Sequence, residues 1–154
     1  MPAVGDPAPP FAALDTNGQP IALADFAGAP LVLYFYPKDD TSGCTAEACD
    51  FRDRLPDFSA VGAQVVGVSR DGAASHARFA AKYELPFRLI ADTDEAVCRA
   101  YDVIKEKCNY GRKYLGIERT TYVIDAAGVI RAKFAKVTVK GHVAKVLAGL
   151  APTE

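Results

Sequence analysis

Six consecutive apolar, β-forming residues, Leu31-Val32-Leu33-Tyr34-Phe35-Tyr36, leave this chain few folds to choose from. A strand with one wet face alternates apolar and polar residues. This one has no polar face, so other layers must cover it on both sides. A sheet with helices above and below provides that cover. The downstream segments supply the parts. The spacing predicts a helix over Thr45–Leu55, stopping or kinking before Pro56, which cannot donate its backbone hydrogen bond. Gln64–Ser69 reads as a second buried strand, Ala73–Tyr83 as a helix and Phe87–Ala91 as a short third strand. Asp94–Tyr101 reads as a helix whose acidic start suits its dipole. The basic stretch 105–118 reads as a polar connection. Arg119–Asp125 and Val129–Phe134 then form a hairpin across Ala126-Ala127-Gly128, and Lys140–Leu150 is a closing helix. Upstream, Phe11–Asp15 and Pro20–Leu23 flank Thr16-Asn17-Gly18-Gln19, where Asn-Gly is a strong hairpin signal. Asp25–Gly28 adds one short helical turn before the long apolar run. The order is a βαβα half followed by a hairpin and a helix. It matches an α/β, thioredoxin-like arrangement: an N-terminal β-hairpin and a central mixed sheet flanked by helices.

At 154 residues the chain is expected to form one domain, residues 1–154, with a core that needs neither metal nor structural disulfide. A formal net charge of −1 gives no reason to expect nucleic acid or acidic lipid as a partner. No apolar run approaches the ~20 residues of a membrane span. The start, Met-Pro-Ala-Val-Gly-Asp-Pro, has neither a basic nor an apolar leader region, so a cytoplasmic location is expected. Four cysteines are too few for a disulfide scaffold, and in a reducing compartment they read as reactive, metal-binding or buried.

Chemistry concentrates in Pro37–Cys49, written P-K-D-D-T-S-G-C-T-A-E-A-C. Cys44 falls where a buried strand ends and a helix begins, so unpaired N–H groups and the positive end of the helix dipole converge on it. That environment favours thiolate, the form that attacks. A structural cysteine would have apolar neighbours at helical spacing, whereas Thr41, Ser42, Gly43 and Thr45 are small and polar. Cys49 stands five residues further on. Five residues of intact α-helix rise about 7.5 Å and turn about 500°, separating the Cα atoms by roughly 8–9 Å. A disulfide needs about 4.4–6.8 Å. These two sulfurs can bond only if the first turns unwind.

The motif Pro37-Lys38-Asp39-Asp40-Thr41-Ser42-Gly43-Cys44 resembles the Pro-x-x-x-Thr-x-x-Cys signature of the peroxiredoxins. Cys49 follows as in many members of the branch named for the bacterioferritin comigratory protein (the Q branch, of atypical two-cysteine type). The segment Tyr114-Leu115-Gly116-Ile117-Glu118-Arg119-Thr120-Thr121 is similar to the one that carries the family's arginine. Gly5-Asp6-x-Ala8-Pro9-x-Phe11 and Leu23-x-Asp25-Phe26-x-Gly28 match its N-terminal pattern. The resemblance implies a peroxidase acting on hydrogen peroxide and organic hydroperoxides. Cys44 attacks the peroxide; the Thr41 hydroxyl, the Arg119 guanidinium and the Gly43 and Cys44 amides donate hydrogen bonds to its oxygens; Pro37 walls the pocket. Cys49 captures the sulfenic acid as an intramolecular disulfide, which thioredoxin or a glutaredoxin-type reductant recycles. A monomer is implied, without metal, flavin or haem.

A few residues depart from the pattern. Ser42 stands where many relatives carry proline and can still cap the helix. Ile104 replaces a common tryptophan. Cys98 reads as core, and Cys108 as an incidental thiol that, if exposed, could form intermolecular disulfides. His76 and His142 are placed on exposed helix faces, away from any Cys–His or metal pattern. Two rival functions remain. A thiol–disulfide oxidoreductase on the same fold needs Cys-x-x-Cys, which is absent. A zinc module of Cys44, Cys49, Cys98 and Cys108 lacks the short paired spacing that zinc favours.

Overall fold

The computed structural model describes residues 2–150. A five-stranded mixed sheet forms its centre. Leu31–Phe35 (β3) lies in the middle, paired in parallel with Gln64–Ser69 (β4), which pairs in parallel with Arg88–Ala91 (β5). On its other edge β3 runs antiparallel to Thr120–Ile124 (β8), and β8 to Ile130–Phe134 (β9), giving the order β5-β4-β3-β8-β9. Ala12–Leu14 (β1) and Pro20–Ala22 (β2) make the N-terminal hairpin, followed by a 3₁₀ turn at Leu23–Phe26.

The apolar run behaves as its composition requires. Every residue of β3 is buried; Leu31, Leu33 and Phe35 enter one core cluster, and Val32 and Tyr34 enter the other. The second cluster also holds Phe51 and Phe58 of helix α1 (Ser42–Ala60), Phe79 of α2 (Ala73–Tyr83), and Val143 and Val146 of α4 (His142–Leu150). The first holds Val97 and Cys98 of the short helix α3 (Ala96–Ala100), with Phe11 and Ile21 from the N-terminal hairpin region.

Four expectations need correction. The stretch 105–118 is no simple connection: Ile104–Asn109 (β6) and Arg112–Ile117 (β7) form an antiparallel hairpin outside the main sheet. Its strands carry charge on both faces, so no apolar alternation marks them. Helix α1 does not end before Pro56 but continues to Ala60 with the proline inside it. Phe51 and Phe58 straddle Pro56 and are fully buried, and that burial outweighs one missing hydrogen bond. Helix α3 starts later than expected, and its opening amides belong to Asp92: Val97 and Cys98 N–H donate to that carboxylate at 3.0 and 2.7 Å. Finally, His76 and His142 are buried rather than exposed. His76 lies three residues before Phe79, on the apolar face of α2, and both ring nitrogens find partners there.

Candidate active site

The end of β3, the first turn of α1 and the strap between β7 and β8 meet at one point. Thr41 is the N-cap of α1, in extended conformation and with no side-chain cap. The first intrahelical bond runs from Thr45 N–H to the Thr41 carbonyl at 2.8 Å. The amides of Ser42, Gly43 and Cys44 precede it and point out of the helix end. Cys44, in this first turn, is 1% exposed. Ser42 is the first helical residue, not a cap.

Arg119 closes the site from the opposite side. Its Nη2 donates to Cys44 Sγ at 3.3 Å, and its Nη1 donates to Glu47 Oε1 at 2.7 Å. A planar guanidinium with two such partners is fixed in orientation. The approach depends on Gly43, because a Cβ there would stand 3.3 Å from Arg119 Nη2. The guanidinium would have to give way, and any movement loosens its hold on the sulfur.

Glu47 is the functional residue that the motifs did not reveal. It is fully buried, one turn after Cys44 and beside Ala48 and Phe51. A carboxylate interrupting the apolar face of a helix calls for a cationic partner, and that signal was present in the sequence. Burial pushes its carboxyl up to about 7 even with Arg119 attached. Its second oxygen, Oε2, has no hydrogen-bond partner among the described residues. His142 Nε2 stands 4.0 Å from that oxygen and is hydrogen-bonded to Thr121 Oγ1 at 2.8 Å. Burial, helped by Arg119 and Lys145, drives His142 down to about 4, so a neutral ring faces Glu47.

Of the remaining expected site residues, Thr41 sits at the helix mouth, but its hydroxyl donates to the Lys38 carbonyl at 3.0 Å. Its proton is committed there, so its oxygen is left to accept from a substrate O–H rather than to donate. Pro37 is half-buried at the end of β3. Cys49 is half-buried on the same unbroken α1, and all four cysteines are free. Cys98 is core: burial and the neighbouring Asp92 push its thiol far up, which makes it inert. Cys108 is exposed on the β6–β7 hairpin.

The same hairpin brings a second cation. Lys107 packs over Gly116 beside Tyr114, close enough to Cys44 and Arg119 for their charges to act on it. Burial, with Arg119 and Arg70, lowers its ammonium from the ordinary lysine value.

A buried sulfur at a helix N-terminus, facing a fixed guanidinium, suits attack by an anionic nucleophile on a small polar substrate. Known proteins share this framework. The AhpC/TSA family model matches residues 4–133. A Coxiella burnetii protein described as a putative peroxiredoxin of the bacterioferritin comigratory type is 49% identical over 147 residues, spanning 96% of this chain and 97% of the relative. Among solved structures, the Xanthomonas campestris bacterioferritin comigratory protein, captured as a trapped intermediate/ligand complex bearing on its alkyl peroxide reduction activity, superimposes with a TM-score of 0.87 at 47% identity, covering 91% of this chain and 89% of that one. A Xylella fastidiosa peroxiredoxin Q mutant superimposes with a TM-score of 0.93 at 38% identity, over 97% of this chain and 96% of that one. The chain therefore belongs to the AhpC/TSA family of peroxiredoxins, in its bacterioferritin comigratory protein, or Q, branch.

Proposed function

We propose that this chain is a thiol-dependent peroxidase that reduces hydrogen peroxide and organic hydroperoxides through Cys44. The observation that carries this reading is the Arg119 Nη2 to Cys44 Sγ contact of 3.3 Å at the mouth of α1. The Cys44 thiolate attacks the near peroxide oxygen; the O–O bond breaks and an alkoxide or hydroxide departs with the electron pair. Arg119 and the Gly43 and Cys44 amides stabilise charge on the separating oxygens, while Thr41 Oγ1 accepts a hydrogen bond from the hydroperoxide O–H, whose proton stays on the oxygen transferred to sulfur. Cys44 becomes a sulfenic acid. The Cys49 thiol displaces water from it to form a disulfide, after the first turns of α1 have unwound. A dithiol reductant, thioredoxin or a glutaredoxin system, returns both thiols. Pro37, which has no N–H, keeps water from the sulfur. Action as a monomer in the cytoplasm is part of the same reading. Alkyl peroxide reduction by the Xanthomonas relative supports the substrate class.

The test is peroxide consumption coupled to thioredoxin oxidation, run beside insulin reduction. The wild type is expected to consume peroxide and leave insulin intact, and Cys44→Ser to leave both peroxide and insulin untouched. Insulin reduction without peroxide turnover would instead mark a protein thiol–disulfide oxidoreductase.

A further inference from the structure

One buried polar group takes no part in this chemistry, yet belongs to the strap that leads into Cys44. Asp39 is 7% exposed, and its carboxylate accepts three hydrogen bonds: from Tyr36 OH at 2.6 Å, from Ser75 Oγ at 2.8 Å and from His76 Nδ1 at 2.7 Å. His76 is fully buried, and its Nε2 lies 2.8 Å from the Ile90 carbonyl, which can only accept, so that nitrogen carries hydrogen. Burial raises the Asp39 carboxyl, but its three donors outweigh burial and hold it below the ordinary range. The ring thus bridges the Asp39 carboxylate and the Ile90 carbonyl, tying the residue before Asp40 to α2 and β5. The Asp39 amide donates to Asp71 at 2.9 Å, and Ser69 Oγ donates to the same Asp71 oxygen at 2.7 Å.

The next residue is tied down as well. Asp40 holds a left-handed backbone conformation, φ 57°, and accepts from Lys82 and Tyr83 of α2, each at 2.8 Å. The strap 37–41 has no regular structure of its own. Its position, and with it the Thr41 cap from which α1 starts, is set by two adjacent aspartates fastened to α2. The Asp40 bonds are exposed and weak; the Asp39 bonds are buried and charge-assisted.

We propose that the buried Asp39–His76 pair is the clasp that sets how readily the first turns of α1 unwind, making both residues positioning residues for Cys44. The consequence for catalysis rests on the pairing of Cys44 with Cys49 proposed above. While the helix is wound, the sulfenic acid stays beside Arg119, where a second hydroperoxide can oxidise it to sulfinic acid, releasing alcohol or water. Once the helix is unwound, the sulfenic acid meets the Cys49 thiol, and disulfide and water form instead. A tight clasp favours peroxide attack and overoxidation; a loose one favours the disulfide.

The experiment is amide hydrogen exchange on the reduced protein, with Asp39→Asn and the milder Ser75→Ala, followed by the two chemical steps in stopped flow. Losing hydrogen bonds to a charged group should speed exchange at residues 45–49 by about tenfold to a hundredfold in Asp39→Asn, and less in Ser75→Ala. Residues 51–60 should keep the wild-type rate. Peroxide attack should slow while disulfide formation accelerates, and the sulfinate yield under excess peroxide should fall. A merely structural role would move both steps the same way and raise exchange throughout α1 and β3; that outcome overturns the proposal. Unchanged exchange at 45–49 in folded variants overturns it too, and Ser75→Ala carries the test should Asp39→Asn fail to fold. Local acceleration in a protein whose wild type forms no Cys44–Cys49 bridge would uphold the clasp and remove Cys49 from the resolving role.

Discussion

The substitution Glu47→Gln isolates the cost of keeping a carboxylate in the core beneath Arg119. Burial raises the Glu47 carboxyl from 4.5 to about 7 in the folded protein. A group whose folded value lies above its unfolded one stabilises the fold fully at pH below the unfolded value. That contribution is lost as pH climbs through the folded value. For wild type the loss develops between about pH 4.5 and about pH 7, and a shift of this size is worth about 3 kcal/mol over the whole window. Between about pH 5 and about pH 8 it is ~2.5 kcal/mol. The glutamine amide cannot ionise, so the variant escapes the loss while keeping an oxygen for Arg119. Its stability relative to wild type should therefore improve steadily as pH rises. At about 2–4 °C per kcal/mol for a chain of this length, the gap in melting temperature should move by about 5–10 °C in favour of the variant. His142, lowered to about 4, destabilises both proteins on the acid side and cancels in the difference. The assay is thermal unfolding of both proteins across that pH range. A difference that stays flat, or that turns against the variant as pH rises, refutes the claim that burial raises Glu47.

Other substitutions probe separate parts of the site. Gly43→Ala should push Arg119 off the sulfur and slow peroxide attack by about tenfold, read in stopped flow, with little change in melting temperature. Gly67→Ala tests the packing behind the site: a Cβ there would fall 2.8 Å from the Tyr34 ring and from Leu89, so about 1–3 kcal/mol of stability should be lost in denaturant unfolding. Cys49→Ser should keep the first peroxide attack at the wild-type rate but make recycling depend on added small thiols. Full thioredoxin-coupled turnover in that variant would remove Cys49 from the cycle.

The order of elements along the chain was legible because β3 and β4 are apolar on both faces and are separated by segments of helical spacing. The β6–β7 hairpin was not, since Lys105, Glu106, Lys107, Arg112 and Lys113 fill both of its faces and a strand without a core face leaves no periodic mark. Pro56 misled for a related reason: a local rule about one hydrogen bond yielded to the burial of Phe51 and Phe58. Within the site, Cys44, Gly43 and Arg119 were readable from motif and position, and they come together. Glu47, Asp39 and His76 escaped because each is a polar residue on a buried surface. Its partner is distant in sequence: Arg119 lies 72 residues from Glu47, and His76 lies 37 from Asp39.

Cys44 and Cys49 stand on one unbroken helix, so the most direct measurement is peptide mass mapping after one equivalent of peroxide. The expected product is a Cys44–Cys49 disulfide within a single chain, with Cys98 and Cys108 still reduced and faster amide exchange confined to the start of α1. A bridge from Cys44 to Cys98 or Cys108, or a Cys44–Cys49 bridge formed while the helix start stays fully protected, would contradict capture by local unwinding.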